Sequence, residues 1–304
     1  MRAKVRFFGL PSTIFREFFL FSYFCNRKEG TRLRCDPVPK SRSLVVPQSK
    51  VIGMKKSIVY DGRELQDAEL QENAARDAAM LEFMSQFITD ERKHRFEEVL
   101  DYRTRHITVV LEDIFQPHNA SAVLRTCDLR GIQDIHIVEN TNHYDVNPDV
   151  VLGSTKWLNL NYYEDKEFNT PTAFEQLREK GYKIVATCPH RDDFTPDTLP
   201  LDQPVALVFG TEKLGLSDYA VENADMHVRI PMYGFTESYN ISVSAALLLY
   251  SLTNRLHSST DIDWHLTEEE RNALRLVWTR RSLSRIRQYE RKFKELHPEF
   301  YVGE

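Results

Sequence analysis

A chain of 304 residues, 41% hydrophobic and 28% charged, has enough apolar material for one large core or one domain with extensions. The net charge of −5 gives no global basic signal, so a nucleic-acid partner would have to be met by a local patch. The four cysteines, Cys25, Cys35, Cys127 and Cys188, form no C-x-x-C pair and no His/Cys metal spacing, which argues against a disulfide framework or a bound metal and favours a reducing compartment.

The longest apolar stretch, Phe18–Cys25, falls far short of the roughly 20 residues of a bilayer span. Glu17 abuts it and no small-residue cleavage site follows, so neither a membrane segment nor a signal peptide is expected and the cytoplasm is the expected location. Residues 1–53 are basic, interrupted by Pro11, Pro37, Pro39 and Pro47, and without sustained periodicity. They read as a disordered leader or a mis-assigned start, because Met54-Lys55-Lys56-Ser57 looks like a second beginning.

From Glu64 to Phe87 the composition turns helical, and Thr89-Asp90 opens a further helix continued by Phe96, Val99, Leu100 and Arg103. Ile107–Leu111 then begins a run of alternating units. A helix is expected over Asn119–Arg130, ended by Gly131, then a strand at Ile135–Val138, a helical Val150–Trp157 and a strand near Leu158–Tyr163. A helix over Thr172–Lys180 precedes strands at Lys183–Thr187 and Val205–Phe209. A helix after Ser217, a strand at Met226–Ile230 and a helix at Ile241–Leu256 complete the series. Short apolar strands alternating with helices imply an α/β fold with a mostly parallel sheet.

The last segment, Thr267–Lys294, reads as one helix, with acids Glu268–Glu270 in its first turn and a strong excess of Arg and Lys beyond. Such a run is equally a solvated face or a surface for phosphates.

Ligands of open α/β sheets bind beyond the carboxyl ends of the strands, so the loops after Phe209 and Ile230 are the places to inspect. The chain has no G-x-G, which excludes the dinucleotide fingerprint. Gly210 and Gly215 are spaced like phosphate-loop glycines, but Leu216-Ser217 stands where Lys-Ser/Thr is required. No G-x-S-x-G elbow is present. Glu112, Asp113 and the Asp192-Asp193 pair offer carboxylates without a hydrolase pattern.

Three ordered blocks carry a family resemblance. The first is Asn119 with Arg125 six residues on, in PHNASAVLRTCD. The second is Leu207–Glu212, a strand breaking at Gly210, with Gly215 and Leu216 beyond. The third is Ile230-Pro231-Met232 followed by Gly234 and Ser238–Ser242, with Tyr239 and Ile241 in place of the usual Leu and Val. Together they resemble the SpoU (TrmH) family of RNA ribose 2′-O-methyltransferases in the SPOUT superfamily.

The resemblance implies a catalytic domain over 105–257, a helical extension at 54–104 and a basic helical extension at 258–304. It further implies a homodimer and a trefoil knot that wraps S-adenosylmethionine near Thr187, Gly210, Ile230 and Tyr239. Arg125 would activate the ribose hydroxyl, either as a base relieved of its proton by a substrate phosphate or as a cation facing the forming alkoxide. Asn119, Ser238 and Asn240 would orient it, and Glu212 would fix the knot loop, although Asn119 also reads as a helix N-cap. Within the family, Gln116–Asn119 and the Arg-rich end point to members methylating a D-loop guanosine of tRNA, with ribosomal RNA or another tRNA nucleoside as the alternative. Arg280, Arg281, Arg285 and Arg287 would be the RNA contacts.

Overall fold

The computed structural model describes residues 74–114, 116–142, 153–191, 193–211 and 213–301. The leader at 1–53, the first part of the helix expected from Glu64, and Glu212 lie outside the described residues.

Six parallel strands form one sheet: β1 Ile107–Glu112, β2 Asp134–Val138, β3 Asn159–Tyr163, β4 Lys183–Thr187, β5 Val205–Phe209 and β6 Met226–Val228, in the order β3-β2-β1-β5-β4-β6. The central pair, β1 and β5, is buried at every position, which is why ITVVL and VALVF are continuous apolar runs rather than alternating ones. In chain order the helices are α1 Ala74–Ser85, α2 Asp90–Leu100, α3 Pro117–Leu129, α4 Thr170–Glu179 and α5 Asp218–Glu222, then α6 Ile241–His257, α7 Glu268–Ser282 and α8 Ile286–Leu296.

One face of the sheet offers Ile107, Val109, Leu111, Leu207 and Phe209 to α3 (Val123, Leu124, Cys127) and α6 (Ala245, Leu248, Leu249, Leu252). The other offers Val110, Ile184, Ala206 and Val208 to Ala173, Phe174 and Leu177 of α4. Gly131 follows α3 with φ +77°, and a Cβ there would lie 2.1 Å from the Tyr102 carbonyl oxygen, so this turn admits only glycine.

Three elements differ from the sequence expectation. Of the helix expected at 150–157, the described part is a single 3₁₀ turn, Ser154–Lys156. The strand expected to reach Ile230 stops at Val228, because β6 lies at the sheet edge and its neighbour β4 ends opposite it at Thr187. The long carboxy-terminal helix is two helices, broken where Leu283 turns extended (φ −93°, ψ 117°). Ser282 gives its hydroxyl back to the Trp278 carbonyl at 2.8 Å. The break lets Leu283, Ile286 and Phe293 pack against Met80 and Met84 of α1, a burial that outweighs continuing the helix.

The terminal helices therefore pack on each other. Phe96 and Leu100 of α2 meet Leu274, Val277 and Trp278 of α7. Arg275 of α7 grips Glu97 of α2 with two bonds of 2.8 and 2.7 Å, and these hold the Glu97 carboxyl below its ordinary pKa. Thr267 and Glu270 close a capping box at the start of α7, as its acidic first turn led one to expect. Among the described residues no helix is long and apolar enough to cross a membrane.

Candidate active site

The loops leaving β4, β5 and β6 rise from three adjacent strand ends and enclose a cavity of about 370 Å³. Thr187, Gly210, Ile230 and Tyr239, drawn from all three loops, line this one cavity, as does Ser238. Cys188, Leu216, Met232 and Leu248 complete much of its apolar wall. Leu216 and Met232 belong to the motif blocks, whereas Cys188 and Leu248 carried no motif signal; only the position of Cys188, directly after a strand, marks it in the sequence.

The loop after β5 folds back tightly. Thr211 and Gly215 exchange backbone hydrogen bonds of 2.9 and 3.0 Å, and Gly215 takes φ +74°. Gly210 is where this turn leaves no space: a Cβ would stand 2.2 Å from the Gly215 carbonyl oxygen. Thr187 spends its hydroxyl on the Val208 carbonyl at 2.8 Å, so it stiffens the β4–β5 junction beside the cavity. The loop after β4 is pinned by His227 of β6, whose ring nitrogens lie 2.7 Å from an Asp193 carboxylate oxygen and 2.8 Å from the Val221 carbonyl.

Beside the cavity, α3 and α6 begin next to each other. Asn240 caps α6, its side-chain oxygen accepting from the Ser242 N–H at 2.9 Å and the Ser242 hydroxyl at 2.6 Å. Its amide nitrogen donates to the side-chain oxygen of Asn119 at 3.1 Å, across 121 positions of sequence. Asn119 is not the cap of its own helix. Gln116 holds that position with Pro117 behind it, and Asn119 donates to the Gln116 side chain at 2.9 Å. Arg125 lies on α3 six residues further, about 9 Å along the axis, with an exposed side chain. On the buried side of α3, burial pushes the Cys127 thiol far up, so it stays protonated and inert next to the site.

The four arginines expected to meet RNA separate into two pairs. Arg280 pairs with Glu290. Arg281 donates to the carbonyls of Lys156 and Leu158 at 2.9 and 3.1 Å. Arg285 and Arg287 are exposed, as are Arg291 and Lys292 on α8. Among the described residues no group of three or more His, Cys, Asp or Glu is arranged to hold a metal ion.

Residues 106–250 match the SpoU rRNA Methylase family. A tRNA (guanosine(18)-2′-O)-methyltransferase of Borreliella burgdorferi is 48% identical over 197 residues, covering 65% of this chain and 88% of the relative. This chain belongs to the SpoU methylase family. Another relative of the same description, from Thermus thermophilus, is 38% identical and covers 53% of this chain and 81% of its own length. Among solved structures of the family, the Aquifex aeolicus TrmH/SpoU tRNA modifying enzyme aligns with a TM-score of 0.57 at 28% identity, over 64% of this chain and 98% of that one.

Membership in the SpoU methylase family makes the chain an RNA methyltransferase that draws on S-adenosylmethionine. The cavity fits that donor. Its volume is in the range of small-ligand pockets, its wall mixes apolar and polar groups, and the backbone of Thr187, Gly210 and Tyr239, which line it, would hold an adenosyl group. Lys213 and Glu237 would offer one cation and one anion to a zwitterionic amino-acid end.

Proposed function

We propose that this chain methylates the ribose 2′-OH of the D-loop guanosine at position 18 of tRNA. The observation that carries this reading is the Asn119–Asn240 bond at the cavity, which joins the start of the Arg125 helix to the cavity's last loop. The names of the Borreliella and Thermus relatives, aligned over most of their length, support the substrate.

Bound S-adenosylmethionine supplies an electrophilic methyl group, and the ribose oxygen must be aligned with it and lose its proton. Asn240 and Asn119 hold each other, so the first turns of α6 and α3 keep a fixed spacing while both helices pack through their apolar sides. Arg125 stands free of the core to meet the ribose or an adjoining phosphate. A guanidinium holds its proton too tightly to be a good base, and charge stabilisation of the forming alkoxide is the role its exposure favours. Ser238, at the cavity wall, would orient the ribose, and Glu212 in the loop after β5 would fix that loop on the substrate side.

The arms of the RNA would lie over Arg285, Arg287, Arg291 and Lys292, and Tyr233 and Phe235, exposed on the loop after β6, offer rings on which unpaired bases stack. A second copy of the chain would cover the exposed apolar row of Leu129, Val243, Leu247 and Tyr250 on α3 and α6, giving a homodimer. The loops after β5 and β6, which wrap one cavity at the carboxyl ends of β5, β4 and β6, would form the family's trefoil knot.

The test is methyl transfer from labelled S-adenosylmethionine to an unmodified tRNA transcript, with the product nucleosides separated. Label in 2′-O-methylguanosine, lost when guanosine 18 is replaced, is expected. Label entering only ribosomal RNA fragments would overturn the substrate reading and leave the enzyme class intact.

A further inference from the structure

We infer that Glu112 is a positioning residue that sets the shape of the cofactor loop Gly210–Ser217. Glu112 ends the central strand β1 and is 2% exposed. Burying a carboxylate costs stability unless donors surround it, and the rest of β1 is apolar or Thr, so packing alone does not call for an acid here. What surrounds it is specific. One carboxylate oxygen accepts from the hydroxyls of Thr170 at 2.6 Å and Ser217 at 2.7 Å, and the other accepts from the Ser217 N–H at 2.9 Å.

Ser217 is the exit of the loop. Its oxygen also accepts from the Ala220 N–H at 3.1 Å and so caps α5. The loop is therefore closed at its tip by the Thr211–Gly215 backbone pair and fastened at its exit to the end of β1. Gly215 at the first point and Leu216 between the two both stand in the cavity wall.

The same carboxylate reaches outward. Thr170 opens α4, and its oxygen accepts from the Asn140 amide at 3.0 Å. The neighbouring Asp113, in a left-handed conformation with φ 55°, receives the N–H groups of Asn140, Thr141 and Asn142 on one oxygen at 3.1, 2.7 and 2.7 Å. The two adjacent acids thus fasten the loop after β5 and the loop after β2 to one strand end. Glu112 does not line the cavity; it acts through Ser217.

The inference rests on the cavity being the S-adenosylmethionine site, and the experiment separates the two. Glu112→Gln keeps the side chain's size but turns one acceptor into a donor, so the Ser217 N–H and the hydroxyls of Thr170 and Ser217 can no longer all donate to it. Binding of S-adenosylhomocysteine is measured by calorimetry, RNA binding by filter retention, and KM for S-adenosylmethionine apart from kcat. Glu112→Gln is expected to weaken the nucleoside by about tenfold, the size of one net hydrogen bond, with RNA affinity within about twofold. KM for S-adenosylmethionine rises to match while kcat at saturation stays within about threefold. Ser217→Ala, which removes the hydroxyl bond to Glu112 and keeps the N–H, weakens binding in the wild-type background and adds less than its own effect to Glu112→Gln, since both loosen the same fastening of the loop to β1.

Native affinity in Glu112→Gln overturns the inference. So does a variant that loses RNA binding and melting temperature along with the nucleoside, which would make Glu112 a residue of general stability. Wild-type protein that does not bind S-adenosylhomocysteine at all overturns the cofactor reading and this inference together.

Discussion

Adding one methyl group at Gly210 probes how tightly the cofactor loop is folded. In Gly210→Ala the new Cβ would stand 2.2 Å from the Gly215 carbonyl oxygen, 2.3 Å from its carbon and 2.4 Å from the Leu216 nitrogen. Contacts of this kind settle near about 3.5 Å, so the facing backbone must retreat by about 1 Å. It cannot do so freely, because Thr211 and Gly215 hold each other and Ser217 is fastened to Glu112. The strain goes into the segment whose Gly215 and Leu216 form the cavity wall. Overpacking of this kind costs about 1–3 kcal/mol, which leaves the sheet folded and, set against ligand binding, weakens the nucleoside by about tenfold to 10²-fold. The assay is calorimetric titration of S-adenosylhomocysteine into the variant, with thermal unfolding alongside. Native affinity for the nucleoside would refute the argument, since the loop would then have room that the structure denies it.

Arg125→Ala is expected to lower single-turnover methyl transfer by about 10²–10³ while leaving S-adenosylhomocysteine affinity unchanged; equal loss of both would place Arg125 in the cofactor site instead. Replacing Arg285 and Arg287 with Ala should reduce the slope of log affinity against log salt for tRNA by about 1.4–1.8, whereas replacing Arg280 and Arg281, which bond within the protein, should chiefly lower the melting temperature. His136 is fully buried, and burial holds its pKa down to about 4 from 6.5, so the unfolded chain binds a proton that the folded one refuses between those values. Its contribution is complete above pH 6.5 and falls as pH drops toward 4, by about 3 kcal/mol in all, and urea titrations of wild type and His136→Gln at pH 7 and 4.5 check the difference.

The elements that were legible in the sequence are those whose signal is local. ITVVL and VALVF announce strands buried on both faces, and Gly131 and the Thr267–Glu270 box mark helix ends through backbone geometry that neighbouring residues alone decide. The break at Leu283 was not legible, because no Gly or Pro makes it; Met80, Met84 and Phe293 do, from opposite ends of the described chain. For the same reason Arg280 and Arg281 looked like surface cations: their partners, Glu290 and the carbonyls of Lys156 and Leu158, are set by tertiary packing.

The site divides along similar lines. Motif blocks name Asn119, Gly210 and Asn240, yet nothing local says that β4 separates β5 from β6 in the sheet, and that order is what draws Thr187 into the same cavity as Ile230 and Tyr239. Glu112 was visible only as an acid of no evident purpose, since Thr170 and Ser217 lie 58 and 105 positions away.

The packing of α1 and α2 against α7 and α8 has a consequence for how such chains can be recombined. Trp278 is buried in the seam, its indole nitrogen donating to the Trp157 carbonyl at 3.2 Å and its ring lying 5.4 Å from the Arg103 guanidinium. The leading and trailing helices are thus two halves of one cover, written at opposite ends of the message. A chimera that borrows its basic tail from one relative and its leading helices from another inherits a mismatched seam, however well its catalytic core is preserved. In this chain the segment that carries the exposed arginines is inherited with its opposite end or not at all.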